Sequence, residues 1–528
     1  MRSSGDRVLT THVGSLPRGE PLSSLLLAKD AGETVDQSLL DATVSQTVLE
    51  VVRRQVDVGI DVVSDGELSK ISYATYVKDR LTGFDGNVAR RPALDLADHA
   101  GFAKRMAAFV GEQKFRREAC VGPIEYAGHA ALAADLANLE AAVAQSPEVT
   151  AAFMNAASPG LVSAFQENSY YPSHEAYVEA IGAAMQVEYE AIVQAGFLLQ
   201  LDCPDLAMAR HTGFQELSDE QFVARAAHAV EVLNFAVRNI PPERMRMHVC
   251  WGNYEGPHDH DIDLRKILPS VLRARPSAIL FEASNPRHAH EWTVWRDCVL
   301  PDDKVLIPGV IASTSNYVEH PELVAQRIEL FAGMVGRERV LAGSDCGFAT
   351  FAGIGKVDPD IAFKKLAALA EGARLASQRL ARSSTTGPAV VGDVEVLEID
   401  RECERLVIES ARLNDDGQWA ALADLYTPDG MVRRPSGQQL VGREAIIASY
   451  SSRPAERTTR HVCSGWRCRV ESDSVAYGTT TVTVYTSETS SEPMPIERIA
   501  VGEFEDRFVR TLDGWRIVSR TTSITMQQ

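Results

Sequence analysis

The sequence predicts an α/β fold, a (β/α)8 TIM barrel followed by a smaller α+β domain, from three observations. Eight short β-rich runs succeed one another in the first 350 residues, amphipathic stretches separate them, and polar side chains gather at the carboxyl ends of the runs. The runs are RVLTTHVG at 7–14, IDVVSDG at 60–66, ACVGPI at 119–124, FLLQLDCP at 197–204, MRMHVCW at 245–251, SAILFEAS at 277–284, KVLIPGVI at 304–311 and RVLAGSDC at 339–346. Stretches such as 175–196 and 321–336 repeat apolar residues every three or four positions, the helical period. Strands alternating with helices make parallel βα units, and eight such units close into a barrel without an exposed edge. The run ends carry Ser15, Asp65, Glu67, Asp202, His248, Cys250, Glu282, Asp345 and Cys346. In a barrel these ends open onto one face, where groups distant in sequence converge.

Composition narrows the function. With 528 residues, the chain exceeds one ordinary domain, and 45% hydrophobic with 24% charged residues is the balance of a soluble globular protein. No run of 18 or more apolar residues is present to span a bilayer, and the start lacks an apolar segment with a cleavage site, so a cytoplasmic location is expected. A net charge of -19 disfavours nucleic acid as a partner. Eight cysteines without a close pair do not make a disulfide scaffold.

The helical pattern at 359–382 runs into SSTTGPAVVGD, a boundary by its small residues, Gly and Pro. Domains are therefore expected at 1–385 and 394–528. The second begins with a helical stretch at 401–426 and turns to alternating runs, an order that gives an antiparallel α+β domain.

His248 and Cys250 lie two apart, on one side of an extended strand, while Glu282 and Cys346 end two other runs. One imidazole, two thiolates and a carboxylate form a suitable donor set for Zn2+. Two thiolates make the ion less acidic than three neutral histidines would, which suits it to holding a substrate thiol in nucleophilic form rather than to making hydroxide. Glu282 is the ligand expected to yield when the substrate sulfur enters, a catalytic role as well as a metal-binding one.

THVGSLPR at 11–18, VVSDGE at 62–67, VGPI at 121–124, SPG at 158–160 and LQLDCPDLAM at 199–208 resemble successive motifs of the cobalamin-independent methionine synthases. HVC at 248–250, FEASN at 281–285, PGVI at 308–311, NYVEHPELV at 316–324 and AGSDCGF at 342–348 continue the series. Residues 8–380 thus resemble the catalytic barrel of that superfamily, especially its short single-barrel branch. The resemblance implies Zn2+ on His248, Cys250, Glu282 and Cys346, and alkyl transfer to a thiol. It also implies that Glu67 and Asp202 engage the amino-acid end of homocysteine, beside Gly14 and Ser15.

Several residues depart from that pattern. Cys203 stands where an acidic residue is usual, and Ala312, Ser313 and Thr314 replace the Asp and His that follow PGVI in methionine synthases. Methyltetrahydrofolate is therefore not the assured donor, and a separate donor protein is compatible with the chain. Tyr254, His258, His260 and His320 are candidate proton donors. Arg18 is the foremost anion-binding candidate, beside Arg80, Arg210 and Arg246, and Tyr170 and Tyr171 are candidates to cover the pocket. Epoxide opening by a thiol such as coenzyme M, found among short relatives, is the enzymatic alternative. A non-catalytic zinc- or thiol-binding protein is the contrasting class.

The stretches at 420–437, 440–450, 458–485 and 513–524 resemble the SnoaL-like branch of the nuclear transport factor 2-like superfamily, a cone of helices against a curved sheet. Asp429, Arg460 and His461 are its conceivable pocket groups, and Trp419, Trp466 and Trp515 read as packing anchors. An auxiliary role, including homo-oligomerisation, is expected of it rather than a second reaction.

Overall fold

The structure, a computed structural model, describes residues 7–86, 88, 91–110, 118–355, 357–385, 393–489, 494–511 and 514–528. The chain divides into two compact units, Met1–Ala381 and Arg382–Gln528. The first contains β1 (Val62–Ser64), β2 (Phe84–Asp85), β3 (Ala119–Cys120), β4 (Ala151–Ala157), β5 (Leu198–Asp202), β6 (Met245–Val249), β7 (Ala278–Glu282), β8 (Val305–Ile311) and β9 (Gly343–Ser344). Seven of these form one parallel sheet in the order β1-β4-β5-β6-β7-β8-β9. The segment around Thr10 joins its two edges. Thr11 N donates to Ala342 O at 2.9 Å and Ala342 N to Leu9 O at 2.9 Å on one side, and Val62 N donates to Thr10 O at 3.0 Å on the other. The ladder therefore runs full circle, leaving no open edge among the described residues.

The third barrel strand differs from the sequence expectation. The run at 119–124 contributes β3, which pairs antiparallel with β2 outside the barrel. Its place is taken by β4, between β1 and β5. Composition hides β4, because AAFMNAA has no β-branched residue, and burial along nearly its whole length removes the alternation that marks a half-exposed strand.

Elsewhere the two-residue period sorts side chains as expected. Met245, Met247 and Val249 of β6, with Ile279 and Phe281 of β7, join the large core that includes the helices. Ala278 and Leu280 instead meet Leu9, Val13, Ile307 and Leu341 in a second cluster. Arg246, on the face opposite Met245 and Met247, lies 3.9 Å over the Phe153 ring and donates to Thr11 Oγ1 at 2.8 Å and His12 O at 2.5 Å. Burial pulls its guanidinium down to about 9. The helices have side-chain caps where the sequence supplies them: Ser173 accepts from Ala176 N at 3.2 Å to start His174–Gln194, and Ser218 with Gln221 forms a capping box before Asp219–Ala236.

In the second unit β10 (Tyr426–Arg433), β11 (Gln439–Val441), β12 (Thr458–Val470), β13 (Val475–Ser487), β14 (Arg498–Thr511) and β15 (Gly514–Gln527) form one sheet in the order β11-β10-β15-β14-β13-β12. The helices Asp393–Asp415, Trp419–Asp424 and Arg443–Ser451 accompany it. Val407, Leu422, Ile446, Val482, Phe508 and Ile517 are among its core. Within that core Arg520 binds both carboxylate oxygens of Asp506, at 2.7 and 2.8 Å, and donates to Ser410 Oγ at 2.7 Å. His461 Nδ1 lies 2.5 Å from Asp415 Oδ1 beside a cavity of about 380 Å3, whereas Asp429 is exposed in β10 and Arg460 donates to the Thr459 carbonyl. Trp419 stacks on Tyr450 and Trp466 meets Phe508 edge-on, both packing contacts, and Trp515 is buried. No helix among the described residues is long and apolar enough to cross a membrane.

Candidate metal centre

Strand β6 carries His248 near its end and Cys250 directly after it, and the turn after β9 brings Cys346 to them. Ligand atoms of these three buried residues all lie within 4.8 Å of one another. His248 is 3% exposed, yet neither of its ring nitrogens has a hydrogen-bond partner among the described residues. A buried imidazole with both nitrogens unsatisfied beside two thiols is costly without an ion, so the residues fit a soft divalent metal. Cys346, with His248 beside it, pulls the Cys250 thiol well below the usual range, while Cys250 and burial push Cys346 up.

Glu282, at the end of β7, stands beside this trio but outside the set of converging atoms. Its carboxylate accepts from Trp251 N at 3.0 Å and from Asn285 Nδ2. Burial, with Cys250 and Asp345 adding to it, raises Glu282 to about 8. Asp345 explains how the two loops hold together. Its carboxylate accepts from the backbone of Ala283, Ser284 and Asn285, each at 2.9 Å, and from Ser284 Oγ at 2.7 Å. The residue preceding Cys346 thus locks the loop that follows Glu282.

A second polar group lies beside the trio. Asp202 accepts from Asn155 Nδ2 at 3.0 Å and Gln200 Nε2 at 3.0 Å, and Asn155 Nδ2 also donates to Val13 O at 2.9 Å. Gly14, at φ +142, permits that approach, since a Cβ there would sit 2.2 Å from Asn155 Oδ1. Ser15 O accepts from Phe348 N at 2.8 Å, and the Ser15 hydroxyl packs where a Cβ on Gly347 would fall. Glu67 is buried at φ +56, with Oε2 unpartnered among the described residues. Burial and the nearby Asp202 raise it to about 8. Asn155 escapes a sequence reading because its strand does.

A cavity of about 520 Å3 opens at this face, with Met208, His211, Tyr254, Thr314 and Phe348 in its wall. Tyr254 therefore faces the cavity. His320 does not serve there: it is exposed, and its Nδ1 accepts from Glu322 N at 3.2 Å as the cap of helix Pro321–Val335. Tyr170 is 52% exposed, and Tyr171 stacks on Tyr177 and accepts from Ile124 N, so neither is part of the cavity wall. Arg18 donates to the carbonyls of Ala349 and Glu67, Arg80 pairs with Asp135 and Arg210 with Asp219, all internal uses rather than anion sites. Cys203 is buried with its thiol pushed well up by burial, Asp205 and Asp202.

Comparison with known proteins adds kinship to this geometry. The chain is 23% identical over 378 residues to the methionine synthase of Saccharolobus solfataricus, spanning 71% of this chain and 96% of that protein. It is 26% identical over 350 residues to the uncharacterized protein YxjH of Bacillus subtilis, spanning 64% and 86%. The B12-independent methionine synthase of a Shewanella strain, solved in complex with selenomethionine, superposes with a TM-score of 0.53 at 18% identity, covering 71% of this chain and 99% of that one. The first unit resembles the methionine synthases. Residues 395–521 match the family model of the SnoaL-like domain. The methionine-synthase-like unit thus carries the cysteine-lined cluster, and the SnoaL-like unit carries the Arg520–Asp506 pair.

Proposed function

We propose that the methionine-synthase-like unit transfers a methyl or other alkyl group to the sulfur of a small thiol, with Zn2+ held by His248, Cys250 and Cys346 and Glu282 in reach. The observation that carries this reading is a buried imidazole with no hydrogen bond of its own among the described residues and two thiols meeting at the end of a barrel strand, where Met208, a wall residue of the cavity of about 520 Å3, donates its N–H to Cys250 O at 3.2 Å. Zn2+ bound there supplies the acidity that deprotonates an incoming thiol while leaving its sulfur nucleophilic. The chain's own residues do the rest. Glu67 and Asp202 receive an ammonium group, which favours an amino thiol such as homocysteine over a thiol without an amine. Asn155 and Gln200 hold Asp202 in place for that contact. Phe348 and Met208 make part of the cavity wall apolar, and Tyr254 offers its hydroxyl to the leaving group of the donor.

The direct test incubates the zinc-loaded protein with homocysteine or coenzyme M, each against methylated donors and small epoxides, and weighs the products. S-methylated homocysteine is the expected mass. A coenzyme M adduct of the epoxide would replace this reading with the ring-opening one, and an unchanged thiol in every pairing would overturn both.

Glu67 also gives the fold a pH dependence of definite sign. Its value rises from an ordinary 4.5 to about 8 in the folded chain, so the folded protein keeps a proton that the unfolded one releases. That contribution is present in full below the unfolded value and is lost as pH rises through the folded one. Glu67→Gln is therefore expected to flatten the decline in stability between pH 6 and pH 9 by about 3 kcal/mol, since each tenfold difference in proton affinity is worth about 1.4 kcal/mol. The same variant should bind homocysteine more weakly. Urea unfolding of both proteins at the two pH values measures it, and parallel curves would refute the assignment.

A further inference from the structure

Three histidines from three segments converge on the single carboxylate of Asp261, away from the cysteines. His211 follows β5, His258 and Asp261 lie between β6 and helix Leu264–Arg273, and His288 follows β7. His258 Nδ1 and His288 Nε2 both lie 2.9 Å from Asp261 Oδ2, and His211 Nδ1 lies 3.1 Å from Oδ1. The side chains are 11%, 3%, 2% and 1% exposed for His258, His288, Asp261 and His211. The ligand atoms of His258, Asp261 and His288 fall within 4.8 Å of one another.

The outward nitrogens fix the character of the inward ones. His258 Nε2 is 3.0 Å from the Tyr254 carbonyl, which only accepts, so that nitrogen carries a proton. His288 Nδ1 is 3.0 Å from Glu291 Oε2, and Glu291 Oε1 is already taken by Leu264 N at 3.1 Å, so Nδ1 likewise donates. In the neutral rings, Nδ1 of His258 and Nε2 of His288 then turn lone pairs toward one carboxylate oxygen. That arrangement is repulsive unless positive charge lies among them. Histidine ligands are held in this way elsewhere, by a carbonyl or carboxylate on the nitrogen remote from the metal.

Two further protons would settle those two rings but not the third. Among the described residues, neither nitrogen of His211, nor Asp261 Oδ1 across from it, makes a hydrogen bond of acceptable geometry. One divalent ion beside the converging His258, Asp261 and His288 would also give His211 Nδ1, 3.1 Å from Asp261 Oδ1, a partner, and its charge would balance the carboxylates of Asp261 and Glu291. The loop is also held under constraint, since His258 sits at φ +53, a region that side chains with a Cβ seldom occupy.

We propose that His211, His258, His288 and Asp261 form a second metal site, an N3O set for Zn2+ or a similar first-row divalent ion, with no sulfur ligand. Its role is to pin the loop that carries Tyr254 to the segments carrying His211 and His288, and so to fix the cavity wall. Trp251 lies against it, its ring stacked on His288 at 4.1 Å and its backbone N–H on Glu282, so the pin reaches the neighbourhood of the cysteine-lined centre.

The experiment counts metal in the full chain after saturation with Zn2+ and removal of the excess. The wild type is expected to keep two equivalents, the Cys250→Ser/Cys346→Ser variant one, and Asp261→Asn or His288→Gln one. X-ray absorption of the cysteine double variant should show nitrogen and oxygen neighbours at about 2.0–2.1 Å and no sulfur. Failure of the cysteine site removes the sulfur-ligated equivalent alone, so the two claims are separable. If the Asp261 or His288 variant does not fold, Co2+ loading of the wild type decides: a second equivalent must bind without adding to the thiolate-to-cobalt charge-transfer band. A wild type whose bound metal is all sulfur-ligated, or a folded Asp261→Asn protein that retains two equivalents, overturns the second site.

Discussion

Cys250→Ser and Cys346→Ser should each strip the cysteine-lined centre of its ion and abolish alkyl transfer. A serine hydroxyl is nearly isosteric, but it does not ionise near neutral pH and is a poor partner for a borderline-soft cation. Even groups that merely support metal ligands are worth about 10- to 100-fold in affinity or activity, so removing a ligand should exceed that range. Zinc retained after dialysis and product formed per minute measure the two effects. His248→Ala belongs to the same set, since it removes the imidazole that has no other partner among the described residues. Glu282→Gln should be milder in metal retention, because Glu282 is anchored by Trp251 and Asn285 and lies outside the closest trio. Wild-type turnover by a metal-free double cysteine variant would end the proposed reaction.

The second large effect belongs to the SnoaL-like unit. Asp506→Ala should destabilise that unit by about 3–5 kcal/mol, since the change leaves a buried guanidinium without its counter-charge. Arg520 and Asp506 are 5% and 4% exposed, and Arg520 also stacks 4.2 Å from the Phe504 ring. The cost is the stranded charge rather than the worth of the pair. Asp506→Leu with Arg520→Met should therefore recover most of the loss. Urea unfolding of the full chain, followed by circular dichroism, reads both variants. A shift below about 1 kcal/mol for Asp506→Ala would show that water reaches Arg520.

The parts of this architecture that are readable in the chain are those where one local rule acts alone. Strands β5 and β7 announce themselves by mostly apolar runs that end in an acidic residue, Asp202 and Glu282, because their inner faces change from packing to chemistry at the barrel mouth. His248 and Cys250 are readable for the same reason: two residues apart in a strand means the same side of it. β4 is not, since an alanine-rich buried strand lacks both β-branched residues and alternation. Missing it conceals Asn155 and with it the support of Asp202. The histidine cluster is scattered too. His258 and His260 stand out as loop residues, but His211, Asp261 and His288 come from irregular segments, where no period relates sequence distance to space. His260 takes no part and pairs instead with Asp98. His320 misleads because a ring that caps a helix looks, in sequence, the same as one that faces a pocket.

The bonds that Thr10 and its neighbours make to Ala342 and Val62 tie the earliest described stretch of the first unit to one more than 330 residues away. Cys346 lies four residues beyond that seam, whereas His248 and Cys250 sit on the opposite arc. A chain stopped short of residue 342 would hold two of the three donors and an unzipped ladder, exposed to pairing with other molecules. If the proposed Zn2+ site is correct, capturing the ion tightly is a late event in the life of each molecule, and zinc uptake during refolding is expected to signal that the ring has been sealed.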